Sequence, residues 1–206
     1  MKRRTLVIIV VVVLLGLGVA VAASFLHDGL SSRATPGKLE TMAARKMRRL
    51  AMPANARLAQ NPVLASAEEL RDARLHFADH CTVCHANDGS GKSVIGNGLY
   101  PKPPDLRLEE TQNLTDGELF WIIENGVRFT GMPAFSNNGE HGGTLDSWRL
   151  VHFIRHLPHL TPAERIEMEH YNPKGPEDRA EEQEENDFLN GATPQRKAES
   201  QVHKQK

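Results

Sequence analysis

Both cysteines of the chain fall in one five-residue string, Cys81-Thr82-Val83-Cys84-His85. This C-x-x-C-H spacing is the signature of covalent c-type haem attachment. Two thiols at that separation can add across the two vinyl groups of one macrocycle, and the imidazole of the next residue reaches the iron from the same side. A fold built on it must wrap a large flat ring. Other uses of the string fit less well. A structural zinc site needs further ligands, and no second C-x-x-C is present. A thioredoxin-like redox pair belongs in a βαβ setting, and no strand-rich pattern surrounds this one.

The chain has 206 residues, long enough for one domain with appendages, and a formal net charge of −1, which gives no overall field for nucleic acid. Residues 6–23 form an uncharged apolar run of 18 residues preceded by Lys2, Arg3 and Arg4. That length reaches the lower range for a membrane-spanning helix and exceeds the usual apolar region of a cleaved signal, so an anchor over 1–26 is favoured. Ala20-Val21-Ala22 offers a small-residue cleavage site, which keeps a removed signal peptide open. Charge alone does not orient the run, because Arg33, Lys38, Arg45, Lys46, Arg48 and Arg49 follow it.

Residues 27–65 read as a linker with a basic amphipathic helix. Leu39, Met42, Ala43, Met47 and Leu50 recur at helical steps with Arg and Lys between them, ending at Pro53. Two roles are open for its apolar side: lying on anionic lipid, or packing on the domain that follows. Residues 66–160 read as a helical domain. Ser66-Ala67-Glu68-Glu69 is a capping box opening a helix to about His80, which delivers the chain into Cys81. Thr115-Asp116-Gly117-Glu118 opens a second helix, stopped by Asn125-Gly126, and a third runs from near Asp146 to Pro158. Thr161-Pro162-Ala163-Glu164 caps a short fourth helix. Residues 161–206 are then a short helix and an acidic tail, with seven acids and one Arg over 177–187; it reads as solvated and disordered, or as a docking segment for a basic partner. No alternating strand pattern and no internal repeat appear, so the fold class is all-α.

The other face of the iron needs a ligand, and a Met thioether raises the potential and blocks outside ligands. Of the six Met residues, Met132 stands out in Gly131-Met132-Pro133, inside an irregular loop after the second helix. Gly lets the backbone approach the ring and Pro fixes the chain after the ligand. His80, His141 and His152 compete, His141 most strongly because it shares that loop.

The helix leading into Cys81-Thr82-Val83-Cys84-His85, the loop Pro103-Pro104-Asp105-Leu106, Asn125-Gly126, Gly131-Met132-Pro133 and the segment from Trp148 to Leu157 come in an order that resembles a membrane-anchored bacterial class I (His/Met) c-type cytochrome. The resemblance covers residues 66–160. It implies three to four helices wrapped around one covalently bound haem c, preceded by an N-terminal transmembrane helix. It implies thioethers at Cys81 and Cys84, iron ligation by His85 and Met132, and a carbonyl of Pro103 or Pro104 accepting a hydrogen bond from the proximal imidazole. Phe77, Trp148, Val151 and Phe153 would line the helix crossing beside the haem, and Arg128, Tyr100 and Trp121 are candidates for the propionates. Haem attachment in such proteins is completed outside the cytoplasmic membrane, which would put the soluble part in the periplasm.

The function expected on this basis is one-electron transfer between redox partner proteins, with the membrane held through the N-terminal helix, no nucleic acid bound and no substrate reaction catalysed. A haem electron-acceptor subunit of a periplasmic oxidoreductase, or a haem enzyme or gas-binding protein with a displaceable sixth ligand, is the alternative.

Overall fold

A computed structural model describes residues 3–27, 31–136 and 143–190, and among them there is no strand. Helix α1 (Arg3–His27) is apolar over residues 6–23 and in that stretch polar on no side. Its stretch Arg3–Ser24 is long and apolar enough to cross a membrane and none of it is buried in the protein. At 1.5 Å per residue it measures about 33 Å, the thickness of a hydrocarbon core. Helix α2 (Lys38–Ala51) and the single turn α3 (Ala54–Arg57) follow.

The domain opens with α4 (Ala67–His80), where the Ser66 hydroxyl accepts the N–H of Glu69. Three one-turn helices lie in the next forty or so residues: α5 (Thr82–His85), α6 (Val94–Asn97) and α7 (Glu109–Gln112). Helix α8 (Asp116–Asn125) begins in a full capping box between Thr115 and Glu118. Helix α9 (Gly143–His156) starts slightly earlier than the sequence suggests and passes into a 3₁₀ turn, Leu157–His159. Thr161 and Glu164 make a second full capping box for α10 (Pro162–Glu169).

Helices α4 and α9 cross face to face, because each carries its large apolar groups on one stripe. Phe77 of α4 meets Phe153 of α9 with ring centroids 5.1 Å apart. Helix α8 closes the same core with Leu119 and Ile123, and Phe120 stacks flat on Trp148 at 4.0 Å. Met168, which sequence position sets beyond the last core helix, is fully buried in this core. Its helix α10 is drawn in by Arg74, which donates to Glu164 Oε1 at 2.7 Å and also binds Glu167.

The stretch after α2, read from sequence as linker, is instead fastened to the domain. The Thr115 hydroxyl donates to the Arg57 carbonyl (2.8 Å), the Asn61 amide to the Trp148 carbonyl (2.9 Å) and the His152 Nε2 to the Val63 carbonyl (2.8 Å). Gly117 lies so close beneath this stretch that a Cβ there would stand 2.0 Å from the Ala56 carbonyl. Side-chain bonds to distant backbone leave no periodic trace, which is why they escape a sequence reading.

The acidic segment also differs from expectation: residues Pro176–Leu189 form helix α11. Pro at its start fits the first turn. Asp178 accepts the N–H of Gly175 at 2.7 Å, and Lys174 donates to Glu182 at 2.6 Å. Phe188 and Leu189 stay exposed on it.

Candidate functional site

The helix α4 ends at Cys81, and the chain turns at once into α5, so the Cys84 and His85 N–H groups both donate to the Cys81 carbonyl, at 3.2 and 2.9 Å. The buried Thr82 hydroxyl fixes this junction by donating to the Ala78 carbonyl at 2.7 Å. Both cysteines are free thiols and partly buried. Burial, with Cys84 nearby, pushes the Cys81 thiol up to about 12, so it stays uncharged.

Burial pushes His85 down to about 4, which keeps the imidazole neutral and its lone pair free to ligate a metal. Its Nδ1 is buried and has no hydrogen-bond partner. The ring sits 6.4 Å from that of Phe77, centroid to centroid. The backbone around it is built on glycine. The Gly91 N–H donates to the His85 carbonyl at 2.9 Å, and Gly91 takes φ +73°. A Cβ there would stand 2.5 Å from the Pro103 carbonyl oxygen. The two prolines thus separate: Pro103 is half-buried with its carbonyl against Gly91, whereas Pro104 is exposed.

The loop holding Pro103 is pinned electrostatically. Arg107 reaches Asp105 Oδ2 at 2.7 Å and Asp88 Oδ2 at 3.0 Å. The hydrogen bond from the Arg107 side chain holds the Asp105 carboxyl below the usual carboxylate range.

Met132 lies half-buried in the loop that leaves α8. Its N–H donates to the Thr130 hydroxyl (3.1 Å) and its carbonyl accepts the Val127 N–H (3.1 Å). Gly126, at φ +65°, makes the fold-back possible, for a Cβ would stand 2.7 Å from the Met132 carbonyl oxygen. The loop touches the cysteine side through small residues. Gly131 packs against the Leu99 side chain, the Leu99 N–H donates to the Gly96 carbonyl at 3.2 Å, and Gly96 sits directly on the Cys84 carbonyl. Phe129 in the same loop is 90 % exposed at φ +62°.

The competing histidines are otherwise engaged. His152 is bonded to Val63, and His80 is an exposed residue whose ring is tilted against that of His76, centroids 4.7 Å apart. His141 lies outside the described residues. Met42 and Met47 are exposed on α2, while Met52 and Met168 are buried elsewhere. Of the propionate candidates, Tyr100 donates its hydroxyl to Glu40 of α2 at 2.7 Å, Arg128 is exposed and Trp121 is half-buried. Trp148, Val151 and Phe153 are buried, and Trp148 stacks on Phe120, which periodicity did not single out. Sequence reasoning also missed Gly91, Gly96 and Leu99; the close Gly-Ser-Gly at 89–91 was the available signal.

Among the described residues, no group of three or more His, Cys, Asp or Glu is placed to hold a bare metal ion. What is present fits a porphyrin iron: two thiols one turn apart, a neutral buried imidazole whose Nδ1 has no partner, and two glycines, Gly91 and Gly96, that let backbone come close. Residues 68–154 match the family model described as cytochrome C oxidase, cbb3-type, subunit III. No curated protein matches the chain. The matched segment runs from the first turn of α4 into the last turn of α9, the same helices that carry and cover Cys81, Cys84 and His85. Residues 68–154 therefore form a c-type cytochrome domain, with haem c covalently bound and its iron within.

Proposed function

We propose that the chain is a membrane-tethered electron carrier with one haem, ligated by His85 and Met132 and working on the periplasmic side of a bacterial inner membrane. A single C-x-x-C-H in a chain with only two cysteines supports one haem. The observation that carries the His85 assignment is its buried Nδ1 without a hydrogen-bond partner, on a residue whose carbonyl is bonded by Gly91, the glycine that also lies against the Pro103 carbonyl. Bound there, the haem supplies one-electron exchange between ferric and ferrous iron.

The residues have separate tasks in this reading. Cys81 and Cys84 hold the ring at two points, so that His85 needs no large rearrangement to stay in place through a change of oxidation state. With the haem bound, the Pro103 carbonyl would accept from His85 Nδ1, which has no partner here, fixing the ring plane and raising the donor strength of the other nitrogen. Met132 would be the second iron ligand, and the Gly126-to-Pro133 fold-back that holds its backbone would keep exogenous ligands out. Phe77 and Phe153 exclude water behind the site. Helix α1 is the tether, and the cytoplasmic side is assigned to Lys2, Arg3 and Arg4.

A second reading, a haem subunit fixed in an oxidase complex, is favoured by the description of the matching family, which is itself such a subunit. The two share the site and differ in whether the chain leaves its partner.

The deciding experiment is Met132→Ala in the holoprotein. The weak near-infrared sulfur-to-iron band of the ferric form is expected to vanish and the midpoint potential to drop. A variant that keeps both the band and the potential shows that another residue ligates the iron.

A further inference from the structure

Helix α2 is turned the opposite way from an ordinary surface helix. Its polar side faces the domain: Arg45 lies 3.7 Å from Glu110, Arg49 lies 3.9 Å from Glu118, and Glu40 accepts the Tyr100 hydroxyl at 2.7 Å. Only Thr41 and Arg48 on the helix are even half-buried. Its apolar side faces out, with Leu39 77 %, Met42 61 %, Met47 69 % and Leu50 76 % exposed. Four large apolar groups on one stripe, none covered by the chain's own domain, mark an interaction surface. Six cations, Arg33, Lys38, Arg45, Lys46, Arg48 and Arg49, stand with one acid, Glu40, over this stretch.

We infer that the apolar face of α2 seats in the headgroup region of an anionic lipid surface, making a second, peripheral membrane contact that sets how the haem domain sits on the bilayer. The inference rests on the reading of α1 as an anchor. Its own support is independent: an outward apolar stripe, a strong local excess of positive charge, and a start only ten residues, 28–37, after the end of α1. Lys46 falls within the stripe, where its long stem can reach the headgroups from an otherwise apolar face. Arg45 and Arg49 face the domain's own acids, but a second copy of the chain, or a membrane protein's helix, would not call for the exposed cations Arg33, Lys38 and Lys46.

The test uses the full haem-loaded chain with a protease site in the 28–37 segment, reconstituted in nanodiscs of phosphatidylcholine alone or with phosphatidylglycerol. Before cleavage the haem should co-elute with both discs; if it does not, the anchor reading fails and the α2 inference is not the cause. After cleavage the haem fragment is expected to stay with discs containing phosphatidylglycerol and to leave the others. Met42→Glu with Leu50→Glu should weaken that retention on the order of 100-fold while the haem spectrum is unchanged. Should that variant not fold, amide exchange of residues 38–51 in the wild-type chain gives the second readout, with slower exchange expected only on the anionic discs. Release of the cleaved wild-type fragment from anionic discs, as a monomer or as a dimer of itself, overturns the inference. So does equal retention on both lipids, or retention that the double variant does not alter.

Discussion

Gly91 shows how one residue without a side chain can set the backbone around a candidate ligand. It donates to the His85 carbonyl, adopts a left-handed φ of +73°, and leaves room for the Pro103 carbonyl that any Cβ would meet at 2.5 Å. Gly91→Ala forces both a strained backbone and a displaced Pro103 loop. A loss of about 2 kcal/mol or more is expected from the two together, read by denaturant unfolding of the ferric protein. An Ala variant that unfolds at the wild-type denaturant concentration would show the loop to be freer than its geometry implies. Pro103 and Pro104 illustrate the limit of reading residues alone. Their adjacency in sequence made them equivalent, and only the placement of one carbonyl on Gly91 separates them.

At the scale of elements, the helices with local start signals were legible and those without were not. Ser66, Thr115 and Thr161 each accept the N–H three residues on, as their sequence pattern requires, because a cap needs nothing beyond its own first turn. The one-turn helices α3, α5, α6 and α7 have too few residues to show a period. Periodicity found the apolar stripe of α2 but was silent on which way it faces, since that depends on Glu110, Glu118 and Tyr100 far along the chain. The same holds for α10, whose burial of Met168 depends on Arg74.

The α10 attachment gives a pH prediction. Partial burial of Glu164 opposes its charge, but the Thr161 N–H, the His156 ring and the Thr161 hydroxyl outweigh it and hold the carboxyl down to about 2. Its ordinary value of 4.5 applies in the unfolded chain, so the folded form binds the proton more weakly. The stabilisation is complete above pH 4.5 and is lost as pH falls from there toward 2. Glu164→Gln is expected to cost about 2 kcal/mol near neutrality, where it removes charged bonds to Arg74 and His156, and less at low pH. Melting curves of both proteins at pH 7 and pH 3 should therefore lie closer together at the lower pH; a constant gap would assign the loss to packing instead.

Taken whole, the molecule is a haem domain with an apolar helix before it and an acidic helix behind it. Helix α11 lies beyond the matched residues 68–154, and its Phe188 and Leu189 remain exposed. A chain lacking residues 176–189 is expected to keep its haem spectrum, its potential and its electron-transfer rate with a small-molecule reductant. A changed potential would show that the acidic helix acts on the site and not on a partner.

The bonds from Asn61, His152 and Thr115 that fasten the stretch after α2 have a consequence for reach. They leave residues 28–37 as the length of chain joining α1 to the rest, a leash that extends at most about 35 Å. If α1 is the tether proposed above, the haem domain would stay within a thin layer above one membrane. Donor and acceptor would then have to present their redox centres inside that layer. Encounter would be a search across a plane, paced by lateral diffusion and by how crowded the membrane is, and the number of carriers per unit of membrane area would govern the flow of electrons.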